Sequence, residues 1–259
     1  MMNKEERLQI ISKILESIGE VRTDDIRKNS YESSDDVFYE LTNALKWDQF
    51  EEANRFDMKY VLDPPEKLKE RLRWKRDNEG NADNSMITTL ADMITIKAGK
   101  IINIDKIAQG IINILDLMDE HNDLRLMYQD YFEEHTHKEL AMEKLKTRLE
   151  DINYLGSKKS LIFLREYELK SAAGMPLEKL PLPAREVQVK KIMKRSGLVS
   201  DENNSKDIIK KGEKYFKVPL IADYGLWFIG NKFCKKKNPD CENCILYKHA
   251  DEDLCYRNI

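Results

Sequence analysis

An all-α fold is predicted by three features of this sequence. Apolar residues recur at spacings of three and four along most of the chain, strand-like alternation persists nowhere, and only 10 Gly and 7 Pro interrupt 259 residues. The first helix is expected over residues 3–19, where Leu8, Ile11, Ile14, Leu15 and Ile18 share a face and Gly19 offers a stop. A second begins at Ser33, Ser34, Asp35 and Asp36, whose short polar side chains suit an N-cap, and it turns Val37, Leu41, Ala44 and Leu45 inward. Pro64 and Pro65 then break the chain. Residues 77–85 (DNEGNADNS) are polar and contain glycine, so they read as an exposed loop. Helices resume over residues 86–98 and 104–118, the latter through Ile107, Ile111, Ile114, Leu115 and Met118, and both read as buried core. A charged helix over residues 137–152, carrying Leu140, Met142, Leu145 and Leu149, leads directly into Tyr154-Leu155-Gly156-Ser157-Lys158.

The 41% of hydrophobic residues suffices for a core at this length, and with 35% charged residues it excludes a collagenous or disulfide-dependent chain. No apolar run approaches the roughly 20 residues that cross a bilayer, and the first six residues lack the apolar core of a secretory signal. A soluble, cytoplasmic protein with no membrane partner is therefore expected. No internal repeat or low-complexity tract divides the chain. The expected division is residues 1–150 as a helical N-terminal region and 151–259 as the part bearing motifs. In a helical fold of this size the two ends of the chain can also build one lobe together.

A net charge of -3 argues against a protein that coats nucleic acid indiscriminately. The average hides an asymmetry: residues 185–237 hold 14 Lys and Arg against 6 Asp and Glu, a local +8. Such a block is the footprint of polyanion binding, or else a solvated lysine-rich face.

All four cysteines fall in the last 26 residues, as Cys234, Cys241, Cys244 and Cys255, with the spacing C-x6-C-x2-C-x10-C. In a reducing compartment such clustering points to a metal or cluster site rather than to disulfides. Four thiolates suit tetrahedral zinc or a [4Fe-4S] cluster. Zinc ribbons usually present two C-x2-C pairs, and only Cys241 and Cys244 form one here, so the spacing favours the iron-sulfur cluster over zinc. Lys232, Lys235, Lys236 and Lys237 surround the first cysteine, and cations stabilise thiolates.

The stretch from Asp223 through Trp227-Phe228-Ile229-Gly230 to Cys234, followed by Pro239, Cys241 and Cys244, resembles the C-terminal cluster loop of the helix-hairpin-helix DNA glycosylase superfamily, of the endonuclease III type. The family spacing is C-x6-C-x2-C-x5-C; the first two gaps match, and the last is longer here by five residues. Upstream, residues 154–160 (YLGSKKS) resemble the family hairpin G-V/I-G-x-K-x-A, with Gly156 at its second glycine and Tyr154 in place of its first. Residues 180–198 resemble the segment carrying the family's catalytic Asp: matching Val189 and Ile192 to its two apolar helix positions puts Glu186 where that Asp belongs. The motifs cover about residues 150–255, in the family's order.

The resemblance implies a two-lobed helical fold with a C-terminal [4Fe-4S] cluster loop held by Cys234, Cys241, Cys244 and Cys255. It implies base excision from double-stranded DNA carrying a modified or damaged base, flipped out of the stack. Lys158 stands at the position of the family's catalytic lysine, whose amine can attack C1′ and permit strand scission. Glu186 would supply the carboxylate that stabilises the sugar cation or activates the nucleophile, on an arm one methylene longer than Asp. Gly156, Ser157 and Lys159 at the hairpin, and Lys190, Lys191, Lys235 and Lys236 in the basic block, would meet DNA phosphates.

Structural readings stand beside these. Lys158 also reads as a surface lysine, and Glu186 as a helix N-terminal acid favoured by the helix dipole. Trp47, Phe50 and Tyr60 read as core rather than as a base pocket. His121, His135 and His137 have no metal-like partners at recognisable spacing, and the latter two read as exposed on a charged helix. Two rival functions follow: an iron-sulfur DNA-binding protein of the same fold that has lost base excision, and a zinc-stabilised helical protein unrelated to DNA.

Overall fold

The computed structural model describes residues 4–46, 57–79, 82–99, 101–184, 187–235 and 238–248, with backbone only for 74–79, 82–83 and 248. Among the described residues there are helices and turns and no strand, so the all-α class holds. No helix among them is long and apolar enough to cross a membrane.

The chain forms two compact units, and they are not contiguous in sequence. A terminal unit joins residues 1–30, 168–170 and 176–259, while a central unit comprises residues 31–167 and 171–175. This differs from the division at residue 150 expected above: the first helix belongs with the C-terminal segment because its apolar stripe is buried there.

In the terminal unit, α1 (Lys4–Arg27) buries Leu8, Ile11, Leu15, Gly19 and Ile26 along one face and packs on α11 (Pro219–Lys232). Gly19 does not stop α1, contrary to the expectation. A side chain there would collide with the backbone carbonyl of Ile221, and Gly225 of α11 meets the carbonyl of Leu15 in the same way. The two glycines let the helix axes approach more closely than a pair of side chains would allow. Helix α11 begins with Pro219 at its first turn, and the preceding N–H groups of Lys217 and Val218 donate to the Glu16 carboxylate of α1. Completing this unit are α9 (Val187–Arg195), α10 (Ser205–Tyr215) and α12 (Ile245–Lys248). Val189, Ile192, Met193, Leu226, Ile229 and Phe233 form its core with Cys234, Cys244 and Leu246.

The central unit starts at α2 (Ser34–Leu45). Ser33 and Asp36 form a reciprocal capping box, each side chain accepting from the other's backbone N–H. Helices α3 (Pro65–Glu79), α4 (Ala82–Ala98) and α5 (Ile104–Glu120) pack in succession, and α2 rests on α5. The loop expected over residues 77–85 is thereby corrected, since α3 runs to Glu79 and α4 starts at Ala82. Residues 80–81 lie outside the described residues, and a polar composition suits a helix end as well as a loop. Tyr60, expected in the core, is 82% exposed, while its neighbours Met58 and Val61 are buried. Trp47 and Phe50 lie outside the described residues. The unit closes with α6 (Met127–His135), α7 (Lys138–Glu150) and α8 (Gly156–Ser171), apart from residues 168–170 of α8, which count with the terminal unit.

Candidate functional site

Residues 151–155 turn the chain between α7 and α8, and Ile152 and Leu155 anchor the turn in the core. Both positions matched to family glycines are in the left-handed region, Tyr154 at φ +70° and Gly156 at φ +64°. Glycine adopts this conformation freely; for Tyr154 it costs about 1–2 kcal/mol. The surroundings hold it there. Asn103 donates to the Tyr154 hydroxyl at 3.2 Å, and the Lys159 ammonium donates to the Tyr154 carbonyl at 3.1 Å and stands 4.2 Å from the ring centre. From behind, α5 closes on the turn at Gly110, where a side chain would meet the Asn153 carbonyl, and the Asn113 side chain accepts from the Asn153 backbone.

Gly156 and Ser157 are exposed at the first turn of a 16-residue helix, and a side chain at Gly156 would meet nothing. Lys158 follows, half-buried. The free N–H groups of a helix start and its positive dipole end suit a phosphate without reading sequence. Lys159 departs from expectation. It is 3% exposed, and besides Tyr154 its ammonium donates to the Leu45 carbonyl at 2.8 Å. Placed so, its ammonium secures the turn from inside and is not presented to solvent, where a phosphate contact was expected.

Glu186, Lys236 and Cys255 lie outside the described residues. In sequence Glu186 immediately precedes Val187, the first residue of α9, and Val189 and Ile192, the two apolar positions used to place it, are both buried.

In the terminal unit Lys190, Lys191 and Lys235 come together. They line one open depression of about 560 Å³ with Arg195, Gln188 and Asn231, and Glu202 is the carboxylate among its lining residues. Lys191 donates to the Gly230 carbonyl at 3.0 Å. Burial pulls its pKa below the ordinary lysine value, and the nearby Cys234 sulphur opposes that pull.

Beside the depression, Cys234, Cys241 and Cys244 line a cavity of about 20 Å³ walled by Ile192, Ile229, Phe233 and Leu246. Arg195 Nη1 donates to Cys234 Sγ at 2.7 Å. Burial pushes the Cys244 thiol up from its usual pKa, partly offset by the N–H groups of Leu246 and Tyr247. The described residues include no group of three Cys, His, Asp or Glu drawn together as a metal site, so these three cysteines line one cavity without being clustered, and the fourth cysteine is not among the described residues.

Sequence reasoning did not find Arg195, which lies 39 residues from the sulphur it contacts. Nor did it find the pair in which Nδ1 of the buried His121 stands 2.6 Å from Oδ2 of the exposed Asp130. No periodicity links such positions; each pair meets only through packing. His135 is half-buried and His137 exposed. No protein-family model matches the chain, and no curated protein matches it in sequence.

Proposed function

We propose that the protein is a DNA glycosylase of the helix-hairpin-helix kind, acting on a flipped modified or damaged base, with Lys158 the amine for an AP lyase step. The observation that carries this reading is the turn before α8. Its backbone is left-handed at both positions where the family has glycine, although one of them is Tyr154. A chain that keeps a costly conformation with the wrong residue type needs the conformation itself.

In this reading the exposed N–H groups of Gly156 and Ser157 hold a backbone phosphate, and Lys190, Lys191, Lys235 and Lys236 hold others. The base is rotated out of the stack. The unprotonated Lys158 amine attacks C1′: the N–C1′ bond forms as the bond to the base breaks, the base leaves with the electron pair, and the proton released from the amine reaches it through solvent. The glycosylamine then opens: the nitrogen lone pair forms the C1′=N bond as the C1′–O4′ bond breaks and O4′ takes a proton from solvent, and the resulting Schiff base permits strand scission by β-elimination of the 3′ phosphate. Glu186 stabilises the positive charge that develops on the sugar. Cys234, Cys241, Cys244 and Cys255 would hold a [4Fe-4S] cluster, whose part is to order the basic C-terminal loop.

The test is base release and borohydride trapping on duplexes carrying a panel of modified bases, comparing the parent with Lys158→Ala and Glu186→Gln. The parent should form a covalent adduct that Lys158→Ala lacks, and Glu186→Gln should slow base release by about a hundredfold or more. Equal base release by all three proteins on every substrate the parent processes would overturn the assignment. The longer Glu186 arm favours a second reading, an iron-sulfur DNA-binding protein without base excision, because a misplacement of about 1 Å can cost roughly a hundredfold in rate. Binding to modified duplex with no product across the panel would select it.

A further inference from the structure

Helix α11 is the apolar spine of the terminal unit, with ten of its 14 residues buried. Trp227 stands apart from them. Its flanking residue Leu226 is 0% exposed and Ile229 1%, yet Trp227 presents 53% of its surface to solvent. An exposed indole offers a large, rigid face for stacking, and tryptophan is enriched among the residues that anchor recognition surfaces.

The neighbourhood says what kind of partner fits. Asn231, one turn further along α11, donates to the Trp227 carbonyl at 3.1 Å and accepts from the Gln188 side chain at 2.9 Å. Gln188 belongs to the first turn of α9, which crosses α11 at Gly230, where a side chain would strike Gln188. Asn231, Gln188 and the 68% exposed Val187 all line the depression that holds Lys190, Lys191, Arg195 and Lys235. Trp227 thus lies one helical turn before Asn231, whose side chain joins the Trp227 backbone carbonyl to Gln188 on the rim of a basic trough with an apolar lip.

We propose that Trp227 and this trough form a stacking site for unpaired nucleotides, with the indole covering one base and Lys190 and Lys235 meeting the phosphates beside it. Every base has a π-face and every linkage a negative charge, so an exposed indole beside lysines binds single strands with little sequence preference. In a continuous duplex both faces of each base are already covered. The indole can stack only where a base is unpaired, at a gap, an end or an extruded nucleotide. The inference rests on the proposal that the protein acts on DNA; it adds a contact in the terminal unit that the hairpin and the excision chemistry do not need.

The test uses the full-length protein with its metal content as isolated, and as probes a short oligothymidylate and a blunt duplex of equal length. Oligothymidylate should quench tryptophan emission in the parent. Trp47 and Trp74 also emit, so the share lost in Trp227→Phe reports on this residue alone. Trp227→Ala should bind the oligomer roughly tenfold to a hundredfold more weakly. Trp227→Phe keeps a ring and should stay within about threefold of the parent. That variant also decides the matter if Trp227→Ala fails to fold. Lys190→Ala and Lys235→Ala should each reduce the slope of log affinity against log salt by about 0.7.

Unchanged affinity in Trp227→Ala, or a full quench surviving in Trp227→Phe, would overturn the inference. So would a parent that binds the duplex and not the oligomer, which leaves the glycosylase reading standing, whereas a parent that binds neither overturns both. A shift from dimer to monomer in Trp227→Ala, with no effect on nucleic acid, would reassign the face to a second copy of this chain.

Discussion

The ammonium of Lys159 donates to the Tyr154 carbonyl at 3.1 Å and lies 4.2 Å from the centre of the Tyr154 ring, so one buried cation holds both ends of a residue in the left-handed conformation. Lys159→Met keeps the length of the side chain and leaves the Leu45 and Tyr154 carbonyls without this donor. The expected loss is about 2–4 kcal/mol, read as a lower urea midpoint. Adding Tyr154→Gly to that variant should return about 1 kcal/mol by relieving the φ of +70°. In the parent the same change should gain less, because there it also forfeits the contact of the ring with the Lys159 ammonium. Additive effects in this double-mutant cycle would mean that the two residues do not act together.

Gly19→Ala and Gly225→Ala should each destabilise the terminal unit by about 3 kcal/mol or more, since the new methyl group falls on a backbone carbonyl that cannot swing aside. Calorimetry should show the melting transition falling by several degrees. A midpoint within a degree of the parent's would show that α1 and α11 do not cross this closely.

The lysines divide into two groups by their surroundings. Lys190→Ala and Lys235→Ala, at the open depression, should weaken duplex binding similarly for all sequences and lower the salt slope by about 1 each. Lys159→Met should leave that slope alone while lowering stability. The reverse pattern in salt titrations would place DNA at the wrong lysine.

Alkaline unfolding should depend on Tyr31. Burial, aided by the charge of the neighbouring Glu40 carboxylate, pushes its phenol pKa well above the ordinary value. The folded chain therefore keeps a proton that the unfolded chain releases near pH 10, and stability falls as pH rises above about 10, by up to about 1.4 kcal/mol per unit from this group. Tyr31→Phe should flatten that part of the stability curve. An unchanged slope between about pH 10 and 11 would show that Tyr31 titrates normally in the folded protein.

Metal analysis decides between the two thiolate centres. Anaerobically purified protein should carry iron and acid-labile sulphide, and Cys234→Ser, Cys241→Ser, Cys244→Ser and Cys255→Ser should each lose both. Zinc without sulphide would select the tetrahedral site instead.

Much of the architecture was legible before any coordinates. The stripe Leu8, Ile11 and Leu15 and the run Ile107, Ile111 and Ile114 are buried as their spacing predicts, and Ser33 caps α2 as its chemistry suggests. Lys190, Lys191 and Lys235 line one depression, while Cys234, Cys241 and Cys244 line a cavity without being drawn together as a metal site. Residues 77–79 and 82–85 misled because a polar composition does not by itself tell a helix end from a loop. Lys159 misled because a lysine beside a glycine turn looks alike in sequence whether its stem runs outward or inward.

By itself the sequence determined the helical class, the order of the motifs and the gathering of thiols and positive charge near one end. These are local properties, set by side-chain spacing along one segment and unaffected by where that segment docks. Only the tertiary structure decided that α1 joins the C-terminal half, that Gly19 is a crossing point and not a stop, and that Arg195 reaches Cys234 while Trp227 faces water. Each of those outcomes depends on the angle and distance at which two helices meet. That geometry is set by the fit of many side chains at once, and no single stretch of sequence carries it.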